Sequence, residues 1–360
     1  MKQRVIVGMS GGVDSSVAAY LLKEQGYEVI GLFMKNWEET DNGGHCTSEA
    51  DYGDVRSVCA ALDIPYYSIN FSKQYMERVF SYFLSEYRKG RTPNPDVLCN
   101  REIKFGPFLE QAMAMGADFI ATGHYCDILH NNGRHYLLKA ADQNKDQTYF
   151  LNQLNQKQLE KVIFPLGKIQ KPLVREIAEK LNLSTAKKKD STGICFIGER
   201  NFREFMKNYF PNCAGNIVDV SGNVVGEHIG LMYYTLGQRR GLGLGGTKES
   251  QERWFVVEKD LDKNLLVVSH GDESVLDGVS CVVNEINWIP LEPEEKVFDC
   301  TAKFRYRQPE QNVKVEILSN GQTAKVTFEQ KQRAVTPGQY AVFYDGEKCI
   351  GGGVIDEVTK

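Results

Sequence analysis

Three short segments carry residues whose types and spacing could do chemistry. In the first, Ser10-Gly11-Gly12-Val13-Asp14-Ser15 follows the apolar run Val5-Ile6-Val7 and precedes Val17-Ala18-Ala19-Tyr20-Leu21-Leu22, so a strand, a glycine turn and a helix start succeed one another. That order aims backbone N–H groups and a helix N-terminus at one point, which is how a chain holds phosphate. The loop lacks the lysine of G-x-x-x-x-G-K-[ST], and its glycines miss the G-x-G-x-x-G spacing, so it is neither a Walker loop nor a dinucleotide turn. A plain βα turn with Asp14 or Ser15 as N-cap would use the same residue types.

In the second segment, Thr92-Pro93-Asn94-Pro95-Asp96-Val97-Leu98-Cys99-Asn100 joins two helical patterns. Its prolines predict a stiff, non-helical shape that leaves Cys99 at the start of a helix beginning near Asn100, where the macrodipole favours a thiolate, with Asp96 close by. Taken alone, it reads more simply as a helix start with a buried structural cysteine. The third segment, Asp190 to Arg200, places Cys195 in a glycine-flanked loop after Lys187-Lys188-Lys189. Cationic neighbours lower a thiol pKa and also attract a phosphate backbone. Residues 160–210 hold eleven Lys/Arg against six Asp/Glu, although a solvated face explains most runs of this kind.

These segments need a scaffold. Strand patterns at Arg4 to Val7, Val29 to Met34, Tyr66 to Ile69 and Phe119 to Thr122 alternate with helical patterns at Ser16 to Gln25, Asp54 to Leu62, Lys73 to Tyr87 and Ile103 to Met115. Such alternation predicts an α/β domain with a doubly wound parallel sheet that binds ligands beyond the carboxyl ends of its strands. A hairpin with an Asn132-Gly133 turn is predicted over Ile128 to Leu138, and helical patterns return at Pro172 to Leu181 and Phe202 to Tyr209. Three domains are expected: residues 1–210, a small, mostly β stretch over 211–278, and an antiparallel β-barrel over 279–360, where Val313 to Ile317 and Thr323 to Phe328 alternate strictly.

Composition narrows the class. The chain has 360 residues, 42% apolar and 25% charged, with no apolar run long enough for a membrane span and a strand directly at its start, so no membrane role and a cytoplasmic location are expected. The net charge of −4 gives no global nucleic-acid signature, which leaves local patches to argue for one. Nine cysteines never form C-x-x-C, which argues against zinc and iron–sulfur centres and for thiols in a reducing compartment.

The glycine loop resembles the pyrophosphate loop of N-type ATP pyrophosphatases. Over nearly the whole chain, the blocks Gly8 to Ser15, Asn94-Pro95-Asp96 with Cys99-Asn100, Ala121 to Tyr125, Lys145 to Leu151, Gly193 to Gly198 and Arg305-Tyr306-Arg307 resemble the bacterial tRNA-specific 2-thiouridylase family. The resemblance implies that ATP adenylates C2 of the wobble uridine U34 in tRNAs for Lys, Glu and Gln, after which a persulfide attacks C2 and expels AMP. It implies that Gly8, Met9, Ser10, Gly11, Gly12, Val13, Asp14 and Ser15, with Met34 and Gly123, hold ATP, its phosphates bridged by Mg²⁺. Cys195 would carry the persulfide and Cys99 act as nucleophile, ending in a transient Cys99–Cys195 disulfide or a freed sulfide, with Asp96 as general acid or base. U34 would flip into a pocket beside Asn94, Pro95 and Asp96, while His124, Lys145, Asp146, Gln147, Arg305, Tyr306 and Gln339 contact tRNA. A monomer served by a sulfur donor, a cysteine desulfurase or a relay protein, completes the expectation.

Two other readings use the same loop. A synthetase for a small substrate would need no pair of distant cysteines, and a nucleotide-binding sensor would bind ATP without releasing pyrophosphate.

Overall fold

In chain order the first part of the molecule contains β1 (Arg4–Met9), α1 (Val13–Glu24), β2 (Glu28–Lys35), α2 (Thr47–Ala61), β3 (Tyr66–Asn70), α3 (Ser72–Tyr75), α4 (Ser81–Arg88), α5 (Pro95–Cys99), α6 (Pro107–Ala114), β4 (Phe119–Ala121), β5 (Asp127–Asn131), β6 (Arg134–Leu138), α7 (Thr148–Leu151), α8 (Gln156–Glu160), β7 (Val162–Ile163), α9 (Lys171–Lys180) and α10 (Phe202–Lys207). The structure, a computed structural model, describes residues 2–37, 47–190, 202–210, 213–245, 252–318 and 321–360, the side chains of 47 and 48 excepted.

The expected parallel sheet forms, in the order β3-β2-β1-β4-β7. Val5, Ile6 and Val7 are fully buried, as a central parallel strand covered on both faces requires. Alternate residues of β1 serve opposite cores. Ile6 packs with Phe80, Phe83 and Phe108, whereas Val5 and Val7 pack with Val17, Ala18, Val58 and Leu183. The fifth strand, β7, spans two residues, too few to show a period in the sequence.

Two further sheets follow. β8 (Gly215–Asp219), β9 (Val224–His228), β10 (Trp254–Asp260) and β11 (Leu265–His270) pair in the order β10-β11-β8-β9. β12 (Asp277–Trp288), β13 (Val297–Lys303), β14 (Gln311–Ile317), β15 (Ala324–Arg333), β16 (Tyr340–Asp345) and β17 (Lys348–Thr359) form an antiparallel sheet closed into a barrel by β12 pairing with β17. Inward positions of the alternating strands, among them Val313, Val315, Ile317, Ala324, Val326 and Phe328, fill its core.

The β5–β6 hairpin departs from a simple division into successive units. Leu137 and Leu138 pair with Cys349 and Lys348 of β17, so a hairpin from the first part of the chain extends the barrel's sheet. A second correction concerns residues 95–99, which form helix α5 instead of a stiff non-helical linker. Asn94 is its N-cap and Pro95 its first residue, the one helical position where proline costs nothing because that N–H has no partner in any case.

Candidate active site

The glycine loop joins β1 to α1 at the carboxyl edge of the sheet. Gly12, neither Asp14 nor Ser15, is the N-cap, and its extended backbone leaves the first N–H groups of α1 without a side-chain cap. The serines hold the loop's shape instead. Ser15 Oγ donates to Gly12 O at 3.1 Å and accepts from Ser10 N at 3.2 Å, and Ser16 Oγ donates to Gly12 O at 2.8 Å. Gly11 has φ +73°, and a Cβ there would lie 2.6 Å from the carbonyl oxygen of Asp51. A Cβ on Gly123, just after β4, would lie 2.7 Å from Ser15 N and 2.8 Å from the carbonyl carbon of Asp14. Gly8 faces Met34 Cε and Phe108 Cζ, at 3.7 and 3.4 Å from where a Cβ would stand. The loop is therefore a backbone cradle approached too closely for a side chain at Gly11 and Gly123, with Met34 beside it.

A charge cluster stands over this cradle. Lys171, 8% exposed at the start of α9, places Nζ 2.7 and 2.8 Å from the two carboxylate oxygens of Asp14 and 2.8 Å from Asp190 Oδ1. Val174 and Ala178, three and seven residues on, bury the same face of α9 and so fix the inward direction of Lys171. Tyr125 Oη donates to Asp14 at 2.8 Å. Asp190 also accepts from Lys145 at 2.7 Å and from Arg175 at 2.9 Å. Burial works to raise the Asp190 pKa, but the ammonium groups of Lys145 and Lys171 outweigh it and hold the carboxyl at about 2.

The Asp96 and Cys99 pair occupies one turn of α5. Asn94 Oδ1 accepts from the N–H groups of Asp96 and Val97 at 3.2 and 3.3 Å, which turns the chain into the helix. Cys99 is buried, five residues inside, and a π-turn over Asn100–Lys104 continues the helix beyond it. The expected thiolate stabilisation at a helix start is thus corrected, because Cys99 lies at the C-terminal end of α5. Burial raises the Asp96 carboxyl pKa against the opposing charge of Lys104. Burial, then the same lysine, holds His124 well below its ordinary value, so its imidazole is neutral. His124 accepts or donates at 2.7 Å with Thr122 Oγ1 and lies 6.1 Å, centroid to centroid, from Phe105 and from Phe164. The strand end at Gly123-His124 thereby touches the glycine loop on one side and the helical stretch carrying Cys99 on the other.

The residues expected to contact tRNA divide into two groups. Tyr306 packs on Phe150 with ring centroids 4.4 Å apart and planes tilted by 45°, and Arg305 is exposed beside it, donating to Thr336 Oγ1 at 3.2 Å. Phe150 in turn accepts at its carbonyl from Asn100 Nδ2 at 3.0 Å, so a barrel aromatic and the Cys99 helix share one support. Lys145, 37% exposed at its side chain, turns to Asp190. The other side chains are spent internally. Asp146 is buried and accepts from Ala140 N at 3.1 Å and Thr148 Oγ1 at 2.7 Å; Gln147 Oε1 accepts from Tyr125 N at 2.9 Å; Gln339 Nε2 donates to Thr92 O at 2.7 Å. Gln339 is a clamp on the loop before α5.

Cys195 lies outside the described residues. Among these residues no three His, Cys, Asp or Glu side chains converge as a metal site, and no helix is long and apolar enough to cross a membrane. Sequence reasoning missed Lys171, Tyr125 and Lys104. Lys171 carried one readable signal, a lysine in phase with Val174 and Ala178 on a buried helix face.

Comparison with known proteins adds to this geometry. A family profile described as a tRNA methyl transferase HUP domain matches residues 3–199; a tRNA methyl transferase PRC-barrel domain matches 203–270, and an aminomethyltransferase beta-barrel domain matches 279–355. The tRNA-specific 2-thiouridylase MnmA of Alkaliphilus oremlandii is 57% identical over 358 residues, which cover 99% of this chain and 98% of that one. The proteins of the same name from Bacillus cytotoxicus and Streptococcus thermophilus are 57% and 58% identical, covering 99% and 100% of this chain and 95% and 96% of theirs.

Proposed function

From the premise that the chain belongs to the tRNA-specific 2-thiouridylase MnmA family, we propose that it replaces the C2 oxygen of the wobble uridine U34 by sulfur, in tRNAs for Lys, Glu and Gln, at the cost of ATP. The observation that carries this reading is a likeness spanning 99% of the chain, so all three parts of the molecule, and not the nucleotide loop alone, match 2-thiouridylases.

The chemistry suits the site. A uracil carbonyl oxygen leaves poorly, whereas AMP leaves well, so adenylation of O2 must precede sulfur entry. ATP lies on the cradle of residues 8–15, with the N–H groups of the Gly12-capped helix toward its phosphates and Met34 and Gly123 walling it. Mg²⁺ bound with the nucleotide would be held mostly by phosphate and water and would supply charge neutralisation, since both oxygens of Asp14 are taken by Lys171. U34 turns out of its stack toward Asn94, Pro95 and Asp96. Asp96, its pKa raised by burial, holds a proton near neutrality more readily than an exposed carboxyl and can pass it to or from the base.

Cys195 carries the terminal sulfur. The persulfide attacks C2, the C2–O bond breaks and its electron pair leaves with AMP. Cys99 then attacks Cys195, forming a disulfide and freeing the transferred sulfur, or sulfide is released first and adds to C2. The Cys99 thiol, 3% exposed, is shielded from solvent until substrate arrives. The His124 ring reaches tRNA as a neutral donor or stacking surface, and Arg305 with Tyr306 meets it from the barrel. A cytoplasmic monomer receiving sulfur from a desulfurase or relay protein fits this cycle.

The test is mass spectrometry of nucleosides from unmodified tRNA-Glu incubated with the protein, Mg-ATP and a persulfide donor, beside Cys99→Ser and Cys195→Ser. Thiouridine with wild type and its loss in both variants is the expected result. Pyrophosphate release without thiouridine would overturn the acceptor, and binding of ATP without pyrophosphate release would favour a sensor.

A further inference from the structure

The glycine loop contains no lysine, yet an ammonium stands over it from 157 positions along the chain. Lys171 touches both oxygens of Asp14 in the first turn of α1, and its own backbone N–H is fixed by Asp142 Oδ2 at 2.9 Å. Its other contact, Asp190, is shared with Lys145 and Arg175. Three cations, Lys145, Lys171 and Arg175, thus meet Asp14, Asp190 and Asp142 at the mouth of a cradle of backbone donors, and Asp190 alone is shared by all three. A polyanion that took the place of Asp190 would meet the same three cations.

We propose that Lys171 is a phosphate-binding catalytic residue, doing from α9 what a Walker lysine does from within its own loop, and that the β- and γ-phosphates of ATP displace Asp190 from its ammonium. Asp14 is the contact that stays, because it belongs to the cradle itself and aims the ammonium at the helix start. In the adenylation step the uracil O2 forms a bond to the α-phosphorus, and the bond from that phosphorus to the α–β bridging oxygen breaks. The electron pair departs with pyrophosphate, nothing is oxidised or reduced, and the proton of Lys171 stays on Nζ while neutralising the charge that grows on the β-phosphate. The inference rests on the ATP-cleaving reading above and extends it by a residue.

Calorimetric titration of the full chain with ATP, inorganic pyrophosphate and AMP tests it, using wild type, Lys171→Gln and Lys171→Arg. Lys171→Gln should weaken ATP and pyrophosphate roughly 10- to 100-fold, the loss of a charge-assisted contact, and leave AMP within about twofold because AMP lacks the phosphates concerned. Should Lys171→Gln not fold, Lys171→Arg carries the same test: the displaced charge weakens pyrophosphate several-fold with AMP unmoved. Equal losses for AMP and ATP would mean that Lys171 only shapes the loop, and unchanged affinities would remove it from the phosphate site; either overturns the proposal. Wild type that binds pyrophosphate yet makes no thiouridine refutes the acceptor reading and leaves Lys171 standing, whereas wild type that binds neither nucleotide nor pyrophosphate refutes both.

Discussion

Gly123→Ala separates the role of close backbone approach from every other contribution to the nucleotide site. The added methyl would stand 2.7 Å from Ser15 N and 2.8 Å from the carbonyl carbon of Asp14, where ordinary contacts need at least about 3.4 Å. Both opposing atoms belong to the backbone of α1's first turn, so no side-chain rotation relieves the overlap, and the strand end or the loop must move by more than half an ångström. Overpacking of this kind costs about 1–3 kcal/mol. Borne wholly by the nucleotide-competent loop, that is roughly a 5- to 150-fold rise in the KM for ATP, with a smaller effect on melting temperature where the loop yields instead of the sheet. Gly53→Ala is the control: it lies within α2, its Cβ would meet nothing within 4 Å, and alanine there should stabilise by about 0.5–1 kcal/mol without touching ATP kinetics. The assay is pyrophosphate release against ATP concentration with tRNA in excess, alongside thermal melting. A Gly123→Ala protein that melts like wild type and keeps its KM for ATP within twofold would refute the claim that this contact shapes the site.

Two further outcomes follow from the same geometry. Asp96→Asn should cut thiolation by roughly 10²–10⁴-fold while raising stability at neutral pH; the folded Asp96 pKa lies above its unfolded value near about 3.9, so the wild-type carboxyl costs stability increasingly as pH rises through that window and nothing below it, and denaturant melts of both proteins at pH 3 and 7 should diverge only at the higher pH. Gln339→Ala removes the clamp on Thr92 O, worth about 1 kcal/mol, and should slow thiolation about fivefold at unchanged ATP affinity, with an equal drop in ATP affinity counting against a role confined to the Asn94 loop.

The parallel sheet was legible because buried strands between amphipathic helices leave an unambiguous alternation, and the barrel because its strands alternate strictly. The start of α5 is hidden by its prolines, which read as breakers although Asn94 before Pro95 makes the second a first helical residue. The nucleotide loop and the Asp96–Cys99 segment announce themselves by local residue order. What brings them together does not: Gly123 against Ser15, Lys171 on Asp14 and Gln339 on Thr92 join positions more than a hundred residues apart, and pairings at that separation leave no period in the sequence. For the same reason, Asp146 and Gln147, suited by type to RNA, prove to be engaged by Ala140, Thr148 and Tyr125.

The hairpin that joins the barrel sets an order of events in synthesis. β6 finds its neighbour only when β17 exists, about two hundred residues later, and β17 also supplies the seam that closes the barrel against β12. Before β17 pairs, one edge of β6 has no strand partner and the barrel stands open at the β12 seam. Docking of the hairpin and closure of the barrel therefore share one late, long-range step, slow in the way distant strand pairings are slow. The hairpin that follows β4 and the barrel that carries Arg305 and Tyr306 are accordingly joined through one and the same strand.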